Sequence, residues 1–245
     1  MTATAIPLMP GPWRSLSPGL AAGFESRLRA LVAMPLTHQA LAPHHRLSGL
    51  RAMPLSFYPG WALIEGEATL ESGLVGTFDV LYGPGLMWLI DGESRVLNDL
   101  HAGRVRRDLN RYLADEQDSA AADYLPSPLD LHATPDAAAA FLRFYCACVW
   151  GDEGPFMPVE SADSPVLRGL TDRADWNRRL HPIALRREGE DLLAEGVIAY
   201  GRALFETRLR IRAGSVTMED DHPIATEALP PRSHARPLRD LRHPD

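Results

Sequence analysis

Lysine is missing from this sequence, and all 25 of its basic residues are arginine. That absence removes Schiff-base lysines, phosphate-loop lysines and Ser-Lys dyads from consideration. An all-arginine basic set is what coding bias in a GC-rich genome produces, so a bacterial source is expected. Cysteine is nearly as scarce. Cys146 and Cys148 lie two apart in one apolar stretch, where helical geometry points them to different faces and prevents a bridge between them. They read as small core residues of a protein from a reducing, cytoplasmic compartment. No run of about 18 apolar residues occurs and the first residues carry no positive charge, so neither a membrane span nor a signal peptide is expected.

Catalytic motifs are equally sparse. No Gly-x-Ser-x-Gly elbow is present, and Leu47-Ser48-Gly49-Leu50 resembles one only superficially. Gly83-Pro84-Gly85 is no dinucleotide fingerprint, because no helix pattern follows it. His44, His45, His101, His132 and His181 are scattered without the spacing of a zinc motif. A net charge of -7 argues against general nucleic-acid binding, which depends on neutralising phosphates. No motif specifies a cofactor.

What is present is a long apolar segment at 134–151. Thr134 reads as an N-cap, Pro135 as the first helical residue and Gly151 as the stop, with Arg143 the only charge between Ala137 and Val149. A helix that is apolar all round is buried all round.

Around this segment the patterns alternate. Residues 1–19 are rich in proline and read as an irregular arm, and 20–34 have helical spacing ended by Pro35. Strands are expected at 61–70, 74–82 and 86–91, with a turn at 83–85. Val105, Leu109, Tyr112 and Leu113 suggest an amphipathic helix over 102–116, and 115–128 reads as a linker. Ser164-Pro165 starts a short helix towards Arg179. A second set of strands is expected at 183–187, 192–200, 203–212 and 215–219. The segment from 223 to 245, rich in proline and arginine, reads as an extended tail.

The two strand-rich regions align in order. Pro54 falls against Pro182, Glu65-Gly66 against Glu195-Gly196, Leu74 against Leu204, Thr77 against Thr207, Gly85 against Gly214 and Asp91 against Asp220. The expected architecture is therefore α+β. Two antiparallel β-meanders pack with helices around a buried central helix at 135–150, and their alignment reads either as a pseudo-repeat or as the match that any two meanders allow. The halves are 20–116 and 129–222, followed by the 223–245 tail.

Candidate site residues follow from charge and shape. Arg143 within an apolar helix must find acceptors, either an internal carboxylate such as Asp152, Glu153 or Glu195 or an anionic ligand suited to its fork. Tyr58, Trp61 and Trp88, with Phe57, concentrate aromatic surface that suits either a ligand cavity or plain core. Asp220, Asp221 and His222 are the densest set of metal-ligand types. Arg104, Arg106, Arg107 and Arg111 form a basic helix face diluted by acidic residues. The expected function is a soluble binding or interaction module that takes a small-molecule anion or a protein partner. The alternative is a small-molecule enzyme, a metal-dependent hydrolase using Asp220, Asp221 and His222 or Asp152 and Glu153. A third reading has the basic tail dock an acidic partner.

Overall fold

The computed structural model describes residues 6–33, 40–105, 124–168, 176 and 178–244. The first helix, α1 (Pro18–Val32), starts with Ser17 in extended conformation and a proline in its opening turn, which costs no hydrogen bond there. Its buried side chains, Phe24, Leu28, Leu31 and Val32, follow helical spacing and form one stripe.

That stripe lies on the first sheet. The sheet runs β1 (Arg14–Ser15), β2 (Arg46–Pro54), β3 (Ala62–Thr69) and β4 (Val75–Gly83), all antiparallel. Beyond β4 its free edge is shared end to end. β5 (Leu86–Leu89) pairs with Val80 to Gly83, and β13 (Arg239–Arg242) pairs at Val75 and Thr77. Alternation divides the strands between two cores. Ile64, Ala68, Phe78, Val80, Met87 and Leu89 pack with α1, while Leu63, Leu81, Leu86 and Trp88 face a second cluster. Burial on both faces explains why β5 reads as a continuous apolar run.

The chain then forms α2 (Ser94–His101), which ends at Ala102 and Gly103; Gly103 adopts the left-handed conformation (φ 67°) common after a helix. Residues 102–105 are thus a turn, where the sequence suggested the start of an amphipathic helix. The remainder of that expected helix, with Arg106, Arg107 and Arg111, lies outside the described residues, as does much of the expected linker. Arg104 pairs with Asp99 at 2.9 Å.

The apolar segment forms α3 (Ala137–Cys148), with every residue buried except Ala138 and Arg143. Its boundaries correct the cap assignment. Thr134 and Pro135 sit in turns, Asp136 is the N-cap, and the helix stops at Val149 in extended conformation. Trp150–Gly151 is instead strand β6, paired with β7 (Gly154–Pro155) in a small hairpin.

After β8 (Met157–Pro158), Ser164 caps a 3₁₀ turn (Pro165–Leu167) by accepting a hydrogen bond from Val166 N. The second sheet follows: β9 (Ala184–Glu188), β10 (Asp191–Tyr200), β11 (Ala203–Arg212) and β12 (Ser215–Ala225). β10 lies between β11 on one side and β9 with β8 on the other. The β11–β12 turn, Ala213-Gly214, has positive φ at both residues (47° and 80°), the twist that tight hairpins favour.

The meanders share strand order, but the aligned residues do not keep register. Thr77 lies opposite Glu67, whereas Thr207 lies opposite Gly196, the partner aligned with Gly66. A one-residue shift reverses which face a side chain occupies.

One contiguous core joins Tyr58, Leu63, Leu81 and Trp88, Leu97 and Leu100 of α2, Phe141 and Phe144 of α3, and Ala194, Ile198, Leu209 and Ile211 of the second sheet. A third cluster gathers Met157, Val159, Val166, Leu167, Val197, Ala199, Leu204 and Leu229. The segment from 223 onward is not a free tail. It returns to the first sheet as β13 and buries Arg239 at 2% exposure.

Candidate functional site

Arg143 meets neither Asp152, Glu153 nor Glu195. Its Nε donates to Glu160 Oε2 at 2.6 Å, Nη2 to Glu160 Oε1 at 3.0 Å and Nη1 to Asp136 Oδ2 at 3.1 Å. Glu160 Oε1 also accepts the Ile183 N–H at 2.9 Å. Burial opposes both charges, but these bonds overcome it: the Glu160 carboxyl is held below its usual range and the Arg143 guanidinium above. The internal pairing expected for this arginine is therefore made, with partners outside those first considered. Glu160 lies in a loop after β8 whose approach to α3 is purely tertiary, so no local pattern pointed to it.

The same pair borders a cavity of about 320 Å³. One wall is the N-terminal arm, Ile6 to Pro10. The lining also includes Met157, Pro158, Pro165 and Val166, together with Arg143, Glu160, Ser161, Asp163 and Ser164. A mostly apolar concavity with a few polar groups is the ordinary form of a small-molecule site.

A buried ionic network secures the arm. Arg239 Nε and Nη2 donate to Asp79 at 2.6 and 3.1 Å, Nη2 donates also to Glu65, and Nη1 donates to Ile6 O and to Asp240 at 3.1 Å. All five guanidinium N–H groups are thereby used. Glu65 in turn accepts Arg51 Nε at 2.7 Å and the Leu8 N–H at 3.2 Å. Burial lifts the Asp79 carboxyl to about 6 despite the opposing pull of Arg239. The signal that sequence reading passed over was two carboxylates inside apolar strands, which require a buried cation. Arg232 donates to Met157 Sδ and Val166 O and lines a much smaller cleft with Asp240.

The aromatic candidates separate. Tyr58 and Trp88 are core. Tyr58 OH bonds His101 Nε2, and His101 Nδ1 lies 2.6 Å from Gly214 O, which fixes the imidazole as a neutral donor to the carbonyl and acceptor from the phenol. Burial pushes His101 down to about 4 and Tyr58 well up. Trp61 borders a different, shallower groove of about 350 Å³ with Pro59, Pro84, Pro126 and Pro128. Its indole occupies the space a Cβ on Gly83 would need, 2.0 Å away. Arg143 and the three aromatics therefore do not share one site.

Asp220, Asp221 and His222 are consecutive, exposed residues of β12, so their side chains alternate between faces. His222 Nε2 lies 3.7 Å from Asp220 Oδ2. Among the described residues no three side chains of His, Cys, Asp or Glu converge to hold a metal. Cys146 and Cys148 are free and buried, with burial pushing Cys146 up to about 12 and raising Cys148 well above the ordinary thiol range. No described helix is long and apolar enough to cross a membrane. No protein-family model matches the chain, and neither a curated protein nor a solved structure does.

Proposed function

We propose that this chain is a non-catalytic binding protein and that its ligand site is the cavity between the N-terminal arm and the 157–166 segment. The observation that supports this reading is the cavity itself. Its volume of about 320 Å³ falls at the lower end of the roughly 300–1,000 Å³ of small-molecule pockets. Its lining combines Pro7, Leu8, Met9, Met157, Pro165 and Val166 with the polar Glu160, Ser161, Asp163 and Ser164. Two methionine thioethers give that lining adaptability.

Within this reading the anionic ligand first expected for Arg143 is replaced. The guanidinium already has two carboxylate partners, so it serves as a rigid floor that holds Glu160 in place. The two buried, unbridged thiols accord with a cytoplasmic location.

The test is ligand-observed NMR with a neutral probe, 3-phenylpropanol, on the wild type and on Ser161→Trp. Ser161 is an exposed lining residue, so the indole fills the cavity without entering a core. Saturation transfer to the probe in the wild type and its loss in the variant are expected. Equal transfer to both proteins would place the probe elsewhere and remove the reading.

A further inference from the structure

We propose that the cavity takes an uncharged ligand, an apolar body bearing one neutral oxygen that accepts a hydrogen bond from the Ser161 hydroxyl. The inference rests on the binding reading above and names the ligand class of that site.

The ions of the lining are already committed. Arg143 donates from all three of its nitrogens to Glu160 and Asp136. Glu160 uses both oxygens on that guanidinium and on the Ile183 N–H, and Asp163 is engaged as well. A charged ligand would leave water without an uncommitted counter-ion to meet it, and would have to break an existing pair to gain one. An uncharged ligand avoids that penalty.

Much of the backbone's bonding capacity around the cavity is also taken. Four lining residues, Pro7, Pro10, Pro158 and Pro165, have no N–H. The Leu8 N–H goes to Glu65 and the Val166 N–H to Ser164 Oγ. Acceptors are occupied too: Ile6 O by Arg239, Met9 O by Trp13 Nε1, and both Val166 O and Met157 Sδ by Arg232. The neutral side-chain donors of the described lining are two hydroxyls, Ser161 and Ser164. Ser164 holds its 3₁₀ turn, whereas Ser161 is exposed and its hydroxyl enters none of these bonds. A hydroxyl donor suits the oxygen of a ketone, ester, amide or alcohol. The side chains of Leu8, Met9, Met157 and Val166 suit an alkyl or aryl body. Specificity thus comes from ion pairs that are closed among themselves and from one neutral donor left beside an apolar lining.

Three probes that differ only at the terminal group test this: 3-phenylpropanol, 3-phenylpropylamine and 3-phenylpropionate, titrated against the full chain at neutral pH by calorimetry or NMR. The alcohol is expected to bind at least about tenfold more tightly than either ion. Ser161→Ala, an exposed change, should weaken the alcohol several-fold, and Ser161→Trp should remove its binding. An amine or carboxylate that binds as tightly as the alcohol and is lost in Ser161→Trp overturns the ligand class and leaves the cavity as a binding site. Alcohol affinity unchanged in Ser161→Ala but lost in Ser161→Trp overturns the assigned hydrogen bond, and with it this inference. Absence of binding by every probe, or binding untouched by Ser161→Trp, overturns the binding reading as well.

Discussion

Arg143 and Glu160 are joined by two parallel N–H···O bonds, 2.6 and 3.0 Å long, between the one charged position of an apolar helix and a loop beyond β8. The pair is half-buried, with side-chain exposures of 16% and 20%. It therefore belongs to the class in which losing one partner costs more than the pair contributes, because the remaining charge keeps its desolvation penalty.

Replacing Arg143 with Met should lower stability by about 2–3 kcal/mol, below the roughly 3–5 of a fully buried pair. Replacing Glu160 with Gln should cost a similar amount. The double variant should cost clearly less than the sum, since each change removes the other's penalty. Denaturant unfolding of the four proteins measures the coupling, and strict additivity would show that the pair is not an energetic unit.

A larger effect is expected at Arg239. Its replacement by Met leaves Asp79 and Glu65 buried without their main counter-ion and should cost about 3–5 kcal/mol. The loss should also be local to the arm, because Leu8 N–H and Ile6 O are held by the same network. Hydrogen exchange at Leu8 should accelerate well beyond that of α1. Truncation after Ala228 removes β13 as well and should destabilise the first sheet, an outcome a free tail would not give.

How much of this was legible from the residues varies with the length scale of the cause. The strands expected at 192–200 and 203–212 are observed at Asp191–Tyr200 and Ala203–Arg212, because alternation and a glycine-bearing two-residue turn are local signals. The caps of α3 were misassigned because Pro135 and Gly151 are permissive signals. Each is compatible with a helix end yet equally at home in the turn and hairpin actually formed. The segment containing Arg239 looked like a tail by composition, and only the carboxylates of β3 and β4 give it a place. The cavity was not legible at all, since its lining brings residues 6–10 together with residues 157–166, about 150 positions apart in the chain.

Acidification offers a prediction with opposing signs. His101 is depressed to about 4, so as pH falls from 6.5 the unfolded chain takes up a proton that the folded chain refuses, and stability is lost. Asp79 is raised to about 6, so over roughly pH 6 to 4 the folded chain takes up a proton earlier than the unfolded one, and stability is gained. The two contributions cancel in that overlap. Replacing His101 with Phe removes the first, so stability of the variant should rise relative to wild type as pH drops, by up to roughly 1.4 kcal/mol per pH unit. Chemical denaturation at several pH values checks this; a parallel pH profile for both proteins would contradict it.

The thiols provide a probe of the core. Burial keeps Cys146 and Cys148 protonated and shielded, so Ellman's reagent should label neither in the native protein and both after unfolding. Fast labelling of folded protein would mean that α3 is far more open than its packing indicates.

The measurement closest to the central claim is a crystal structure of the chain with 3-phenylpropanol bound. Density for the phenyl group is predicted in the cavity lined by Met9, Met157 and Val166, with the Arg143–Glu160 pair unbroken. Density for the ligand only outside this cavity would contradict the binding reading.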